Sequence, residues 1–143
     1  YQTGEPLPIE WVKKVKAVED FMKGILNVRQ LNFGFLDMEW HTYPHLERLE
    51  DVCTFEQTVT KATQLYPPID EMCISPAFSH IFSGGYAAGY YSYKWSEALE
   101  EGALEVFKEA GFFNKAAATR FRKEILEKGS SEKESILYKR FRN

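Results

Sequence analysis

The sequence predicts an all-α protein, an irregular bundle of five or six helices. Three observations lead there. Apolar residues recur at spacings of three and four along most of the chain, which places them on one face of a helix. No segment alternates apolar and polar residues over several positions, as a half-buried strand would. Prolines and glycines fall between the periodic stretches, where they act as punctuation.

Taken in order, Trp11, Val15, Val18, Met22, Ile25, Leu26, Leu31, Phe35 and Leu36 predict one long first helix between Pro8 and Trp40. Pro44 interrupts the pattern. Leu46, Leu49, Val52, Cys53, Phe55, Val59 and Ala62 restart it as a second helix from about Glu47 to Gln64, until Pro67 and Pro68 forbid continuation. From Tyr66 to Gly85 the prolines, serines and a Gly-Gly pair read as a long connecting loop, and long loops inside compact domains tend to carry function. Helical spacing returns from Tyr86 to about Glu101, with Gly102 as its stop. A short helix from about Ala103 to Ala110 ends at Gly111, which suits a left-handed C-terminal cap. Asn114 can cap a helix running through Phe121, Ile125 and Leu126 to Lys128, stopped by Gly129. Ser131 and Glu134 have the spacing of a capping box and introduce a last helix through Ile136, Leu137 and Phe141, whose basic ending Lys139, Arg140 and Arg142 complements the helix dipole. With no repeat, low-complexity tract or linker, residues 1–143 read as a single helical domain.

Composition narrows the partners. At 143 residues with 44% hydrophobic content, the chain can bury a real core. A net charge of -3 lacks the basic footprint of a nucleic-acid-binding protein. No apolar run approaches the roughly 18 to 20 residues that span a bilayer, and YQTGEPLPIEW has neither region of a signal peptide, so the expectation is a soluble, cytoplasmic protein without membrane partners. Cys53 and Cys73 are too few and too far apart for a disulfide framework and are expected to be buried, reduced and inert. Lys13, Lys14 and Lys16, like Glu97, Glu100 and Glu101, read as solvated faces. A start at Tyr1 in place of Met is compatible with an excised fragment or a processed chain.

The densest chemistry lies between Phe78 and Trp95, where one histidine, four tyrosines and three glycines occur in eighteen residues. On a helix starting near Tyr86, Tyr86, Tyr90 and Tyr93 would stand at i, i+4 and i+7 and present three phenols along one face, with Tyr91 and Trp95 on another. A phenol can donate to a carbonyl oxygen or an oxyanion while its ring lines an apolar cleft, so such a stripe suits gripping an extended peptide. Aromatic stripes at helical spacing are more often core packing. Gly84 and Gly85 just before the stripe allow positive φ and close backbone approach, which would let the loop holding His80 swing towards a ligand.

The run HIFSGGYAAGYYSYKW resembles the signature that follows the catalytic region in the thimet oligopeptidase and oligopeptidase A family of zinc peptidases, in particular its bacterial oligopeptidase A type. The similarity extends to YQTGEPLP, RQLNFGFLDMEWH, YPPID, EAGFFNKAAATRFRKEIL and LYKRF, and so covers nearly the whole chain. It implies the C-terminal part of a larger, zincin-like helical peptidase that hydrolyses short peptides, with the substrate-binding loop and helix at about residues 76–101. It also implies that His80, Tyr86 and Tyr93 hydrogen-bond the tetrahedral intermediate, and that Tyr90, with Gly84 and Gly85, positions the substrate.

The H-E-x-x-H helix that such an enzyme needs is missing from the sequence. His41 and His45 are four residues apart, but Thr42 stands where the glutamate should be and Pro44 would break the helix, so a helix end whose histidines cap or pack is the better reading. The expectation is therefore zinc in the parent enzyme, no metal ligand in this chain, and no activity of the chain alone. Its partners would be the upstream remainder of the parent and short peptides, with self-association through the faces left uncovered. The alternative is a non-catalytic helical module that binds a peptide or partner.

Overall fold

The computed structural model describes residues 2–143, and the reading attached to Tyr1 lies outside the described residues. Among these, the chain forms seven α-helices and no strand: α1 (Ile9–Glu19), α2 (Lys23–Thr42), α3 (Val52–Thr60), α4 (Ser79–Phe82), α5 (Ser92–Ala110), α6 (Lys115–Phe121) and α7 (Glu134–Arg142). The all-α prediction holds, with more and shorter helices than expected.

The long first helix is in fact two. Met22, at φ 57°, lies in the left-handed region, which cannot propagate a right-handed helix. Asp20 and Gly24, both poor helix formers, flank the break, and α1 buries no residue, so no packing holds the two helices as one rod. The second predicted helix begins later, because the Asp51 carboxylate accepts the Thr54 N–H at 2.6 Å and caps α3. Leu46–Arg48 is a separate 3-10 turn before it. A further 3-10 turn, Lys61–Thr63, continues from the end of α3.

The chain divides into two compact units, one up to Tyr91 and one from Ser92 to Asn143. In the first, α2 packs on α3. Leu36, Phe33, Phe55 and Ile81 are buried, and the Trp40 ring centroid lies 4.4 Å from that of Phe55. Fully burying a side chain such as Leu36 contributes about 1.5–3 kcal/mol. The carboxylates of Asp37 and Glu56 are buried in the same unit. By contrast Trp11, Val15 and Val18 of α1 are 63%, 60% and 68% exposed, so the apolar face of that helix covers nothing here.

In the second unit Phe141, Leu137 and Ala117 are buried, and the Phe121 ring meets that of Phe141 at 5.2 Å. Asn114 caps α6 as expected, its Oδ1 accepting the N–H groups of Ala116 and Ala117 at 3.0 Å each. The helix then widens into a π-turn, Arg122–Leu126, where the Glu127 N–H reaches the Arg122 carbonyl at 2.8 Å. Gly111 and Gly129 have φ 96° and 51°, the conformation expected of these stops. The capping box does not form. Lys133 holds the N-cap position of α7 without a side-chain bond, and Glu132 is drawn instead into a two-bond pair with Arg140 at 2.8 and 2.9 Å. Lys139, Arg140 and Arg142 do fall in the last turn.

Gly102 does not stop a helix, since α5 runs through it. A Cβ there would run into the Tyr138 hydroxyl, which donates to the Leu99 carbonyl at 2.9 Å, so glycine is what lets α7 approach α5. Relative to glycine, alanine in a helix interior gains about 1 kcal/mol. In Gly102→Ala this gain should be cancelled by loss of the Tyr138–Leu99 bond, whereas in a Tyr138→Phe background the same change should stabilise by about 1 kcal/mol. Urea unfolding of the four variants measures the coupling, and additive effects would contradict the close approach.

Candidate functional site

The segment that carries His80 is shaped by alternating burial and turns. Ser75–Ala77 forms a 3-10 turn, after which the single turn of α4 buries Ile81 completely and leaves the adjacent His80 exposed. Residues 85–91 are turns, and α5 begins only at Ser92. Tyr86, Tyr90 and Tyr93 therefore do not share one helical face. The physical reason is a competing acceptor. In a helix the Tyr90 N–H would bond the Tyr86 carbonyl. Here it donates to Asp37 Oδ2 at 2.8 Å, and the Gly89 N–H takes the Tyr86 carbonyl at 2.9 Å.

The glycine expectation also changes. Positive φ falls at Ala88, at 52°, and among the described glycines only at Gly4, Gly111 and Gly129, so Gly84 and Gly85 are not left-handed. Gly84 does permit a close approach, since a Cβ there would sit 3.3 Å from the His80 carbonyl oxygen. Ala88 is held in its costly conformation by its N–H, which donates to Asp37 Oδ1 at 2.9 Å.

These turns bring three of the predicted residues together. The His80 imidazole stacks on the Tyr86 ring with centroids 4.5 Å apart and planes 17° from parallel, while Tyr90 meets His80 edge-on at 5.9 Å. Tyr90 is wedged against Phe78 and Phe33, at 5.5 and 5.7 Å, and its hydroxyl donates to Gln30 Oε1 at 2.9 Å. Burial raises the Tyr90 pKa above the ordinary phenol value, against the opposing influence of Arg29 and Gln30, so this phenol is neutral at physiological pH. Tyr93 lies in the first turn of α5, 38% exposed, and belongs to the second unit.

Sequence reasoning missed the two acids that hold this segment. Asp37, fully buried on α2, accepts the N–H groups of Ala88 and Tyr90 and lies 2.9 Å from His41 Nδ1. Glu56 on α3 accepts the Ile74 N–H at 2.9 Å, the Ser75 N–H at 2.7 Å and the Ser75 hydroxyl at 2.6 Å. The Trp40 Nε1–H in turn donates to Ser75 Oγ at 3.0 Å. Burial opposes the charge on Glu56, but these donors, with Cys73, outweigh it and hold the carboxyl below its usual range. The signal for both acids was present in the sequence: each interrupts the apolar face of its own helix.

Cys53 and Cys73 are free thiols and half-buried, less covered than expected. Burial, with Cys53 and the Glu56 carboxylate beside it, pushes the Cys73 thiol up to about 12. His41 and His45 do not share a helix, since α2 ends at Thr42 and His45 turns to Glu47 at 3.4 Å. Among the described residues no three His, Cys, Asp or Glu side chains converge as metal ligands.

The chain belongs to Peptidase family M3, whose profile matches residues 1–143. It is similar to a probable cytosolic oligopeptidase A of Arabidopsis thaliana, 42% identical over 146 residues that cover 99% of this chain and 21% of that protein. Oligopeptidase A of Escherichia coli is 38% identical over 142 residues, covering 99% of this chain and 21% of the relative. Dipeptidyl carboxypeptidase of Escherichia coli is 37% identical over 143 residues, again 99% and 21%. The chain thus spans about a fifth of the length of these relatives. No described helix is long and apolar enough to cross a membrane.

The Glu56 clamp has a pH signature. A carboxyl with a depressed folded pKa contributes stability above its unfolded pKa, near 4.5, and loses it as pH falls through the folded value. Glu56→Gln should lower stability at pH 7 and flatten the acid limb of the stability curve below about 4.5. Chemical unfolding from pH 3 to 7 measures both, and parallel curves for the two proteins would contradict the clamp.

Proposed function

We propose that this chain is the C-terminal, substrate-binding portion of a zinc-dependent oligopeptidase that hydrolyses short peptides in the cytoplasm. The observation that carries this reading is the stacked His80–Tyr86 pair with Tyr90 beside it, formed by the segment on which the family resemblance rests. The similarity to oligopeptidases and to a dipeptidyl carboxypeptidase supports peptide hydrolysis by the parent protein.

The residues of this chain would act on the substrate itself. Attack on a peptide carbonyl leaves negative charge on the former carbonyl oxygen, and donors already aimed at that oxygen each lower the barrier by about 3–4 kcal/mol. His80 and Tyr86 are assigned this role by the family resemblance, as is Tyr93 at the start of α5. Tyr90 is the more enclosed phenol and is assigned to peptide positioning, with Gly84 and Gly85 allowing the backbone to approach the ligand. No step of this role runs through a metal held by the chain. Zinc is assigned to the upstream part of the parent, and the isolated chain is inactive.

The exposed face of α1 is what a larger helical body would cover, or what would drive self-association of the chain alone. Light scattering at high concentration tests the latter, and a clean monomer counts against it.

In the full-length protein, peptide hydrolysis should vanish on chelation and return with zinc. Tyr86→Phe and Tyr93→Phe should each lower kcat by about tenfold or more while KM changes little, because the donors act on the transition state. A raised KM with unchanged kcat would make the residue a binding group only. Peptide affinity of the isolated chain without zinc, lost in Tyr86→Phe, together with no hydrolysis by the full-length protein, would favour a non-catalytic module.

A further inference from the structure

Asp37 is the group on which the geometry of the tyrosine turn converges. Its carboxylate has no exposed surface. Oδ1 accepts the Ala88 N–H at 2.9 Å and Oδ2 accepts the Tyr90 N–H at 2.8 Å. The donors belong to the two residues that flank Gly89, and they are 51 and 53 positions away in sequence. His41 Nδ1, one turn along α2, lies 2.9 Å from Asp37 Oδ1 and 3.3 Å from the Ala88 N, and its ring packs against Phe82 at the end of α4.

Each bond fixes something that the side chains of the site need. The Ala88 bond holds a non-glycine residue at φ 52°, a conformation that is unfavourable without a partner. The Tyr90 bond removes that N–H from the helical ladder and so keeps Tyr86 in the turn that stacks on the His80 ring. His41 touches the other end of the segment through Phe82, two residues after His80.

We propose that Asp37 is the positioning residue of the His80–Tyr86–Tyr90 cluster: it sets the tyrosine turn from behind, without touching substrate, and His41 orients its carboxylate. The proposal rests on reading that cluster as the peptide-gripping wall. Losing the anchor leaves the residues present and the rings free to shift. A misplacement on the order of 1 Å can cost a hundredfold in rate.

The test uses the full-length protein and four forms: wild type, Asp37→Asn, Tyr86→Phe and the double variant. Asparagine keeps the shape but turns an NH2 towards one of the two backbone N–H groups. Asp37→Asn should lower kcat about tenfold to a hundredfold with KM within about twofold. The double variant should be no slower than about the worse single variant, because a misplaced Tyr86 has nothing left to lose. Hydrogen exchange should quicken at residues 86–91 while α3 remains as protected as in wild type. If Tyr86→Phe lowers kcat but Asp37→Asn does not, or if the two losses multiply, the positioning role is wrong. If Tyr86→Phe itself leaves kcat unchanged, the peptide-gripping reading fails, and exchange alone then decides whether Asp37 anchors the turn. Should Asp37→Asn not fold, the wild type suffices: Ala88 and Tyr90 amides exchanging as fast as those of Gly85 and Ala87 would overturn the proposal.

Discussion

The fold of the first unit depends on one arrangement, a carboxylate taken out of water on α2 and repaid by donors from a distant turn. A carboxylate buried without partners is too costly to survive, even after local relaxation. Asp37 is buried only because Ala88, Tyr90 and His41 close around it. The dependence runs both ways. The turn cannot leave α2 without stranding a charge, and Ala88 keeps its left-handed backbone only while its N–H has that partner. A hydrophobic residue at position 37 would pack the helix yet specify no turn.

The same device is used a second time. Glu56 on α3 takes the N–H groups of Ile74 and Ser75 and the Ser75 hydroxyl, which in turn receives the Trp40 indole. The segment between is thus held at both ends by buried acids, by Glu56 at residues 74–75 and by Asp37 at residues 88–90. Its middle is held by Ile81, the fully buried residue of α4. His80, beside Ile81, lies between fixed points. What sequence suggests as a long flexible loop is a strap with three attachments. Gly84 serves the strap by letting the backbone pass near the His80 carbonyl oxygen, without a positive φ.

Local signals were legible where chemistry acts locally. The Asn114 cap and the glycine stops at Gly111 and Gly129 lie where the sequence puts them, because each depends on residues within one turn. Long-range effects were not. The spacing of Tyr86, Tyr90 and Tyr93 mimics a helix, and only an acceptor about fifty residues upstream decides that the Tyr90 N–H leaves the ladder. Gly102 misleads for a related reason: it reads as a breaker, but its lack of a side chain answers to Tyr138 on a later helix. Asp37 and Glu56 were legible in principle. Asp37 sits four residues after Phe33 and three before Trp40, and Glu56 lies between Val52 and Val59 at the same spacings. An acid centred on an apolar helix face has to find donors, and that rule points to both anchors without saying which backbone they hold.

The environments of the aromatic groups also separate their roles within the proposed site. Tyr90 has its ring wedged by Phe33 and Phe78, its hydroxyl on Gln30 and its N–H on Asp37, so moving it disturbs four contacts at once. Such a group serves a ligand as a fixed wall. His80 is exposed and Tyr86 half-exposed, and their stacked rings shield each other's faces. In the proposed role, donors that act on a transient oxyanion need a backbone that is already fixed, and the buried acid supplies that condition. On the proposed reading, chemistry at His80 and Tyr86 would be limited by how well Asp37, which does not itself meet the substrate, holds the chain behind them.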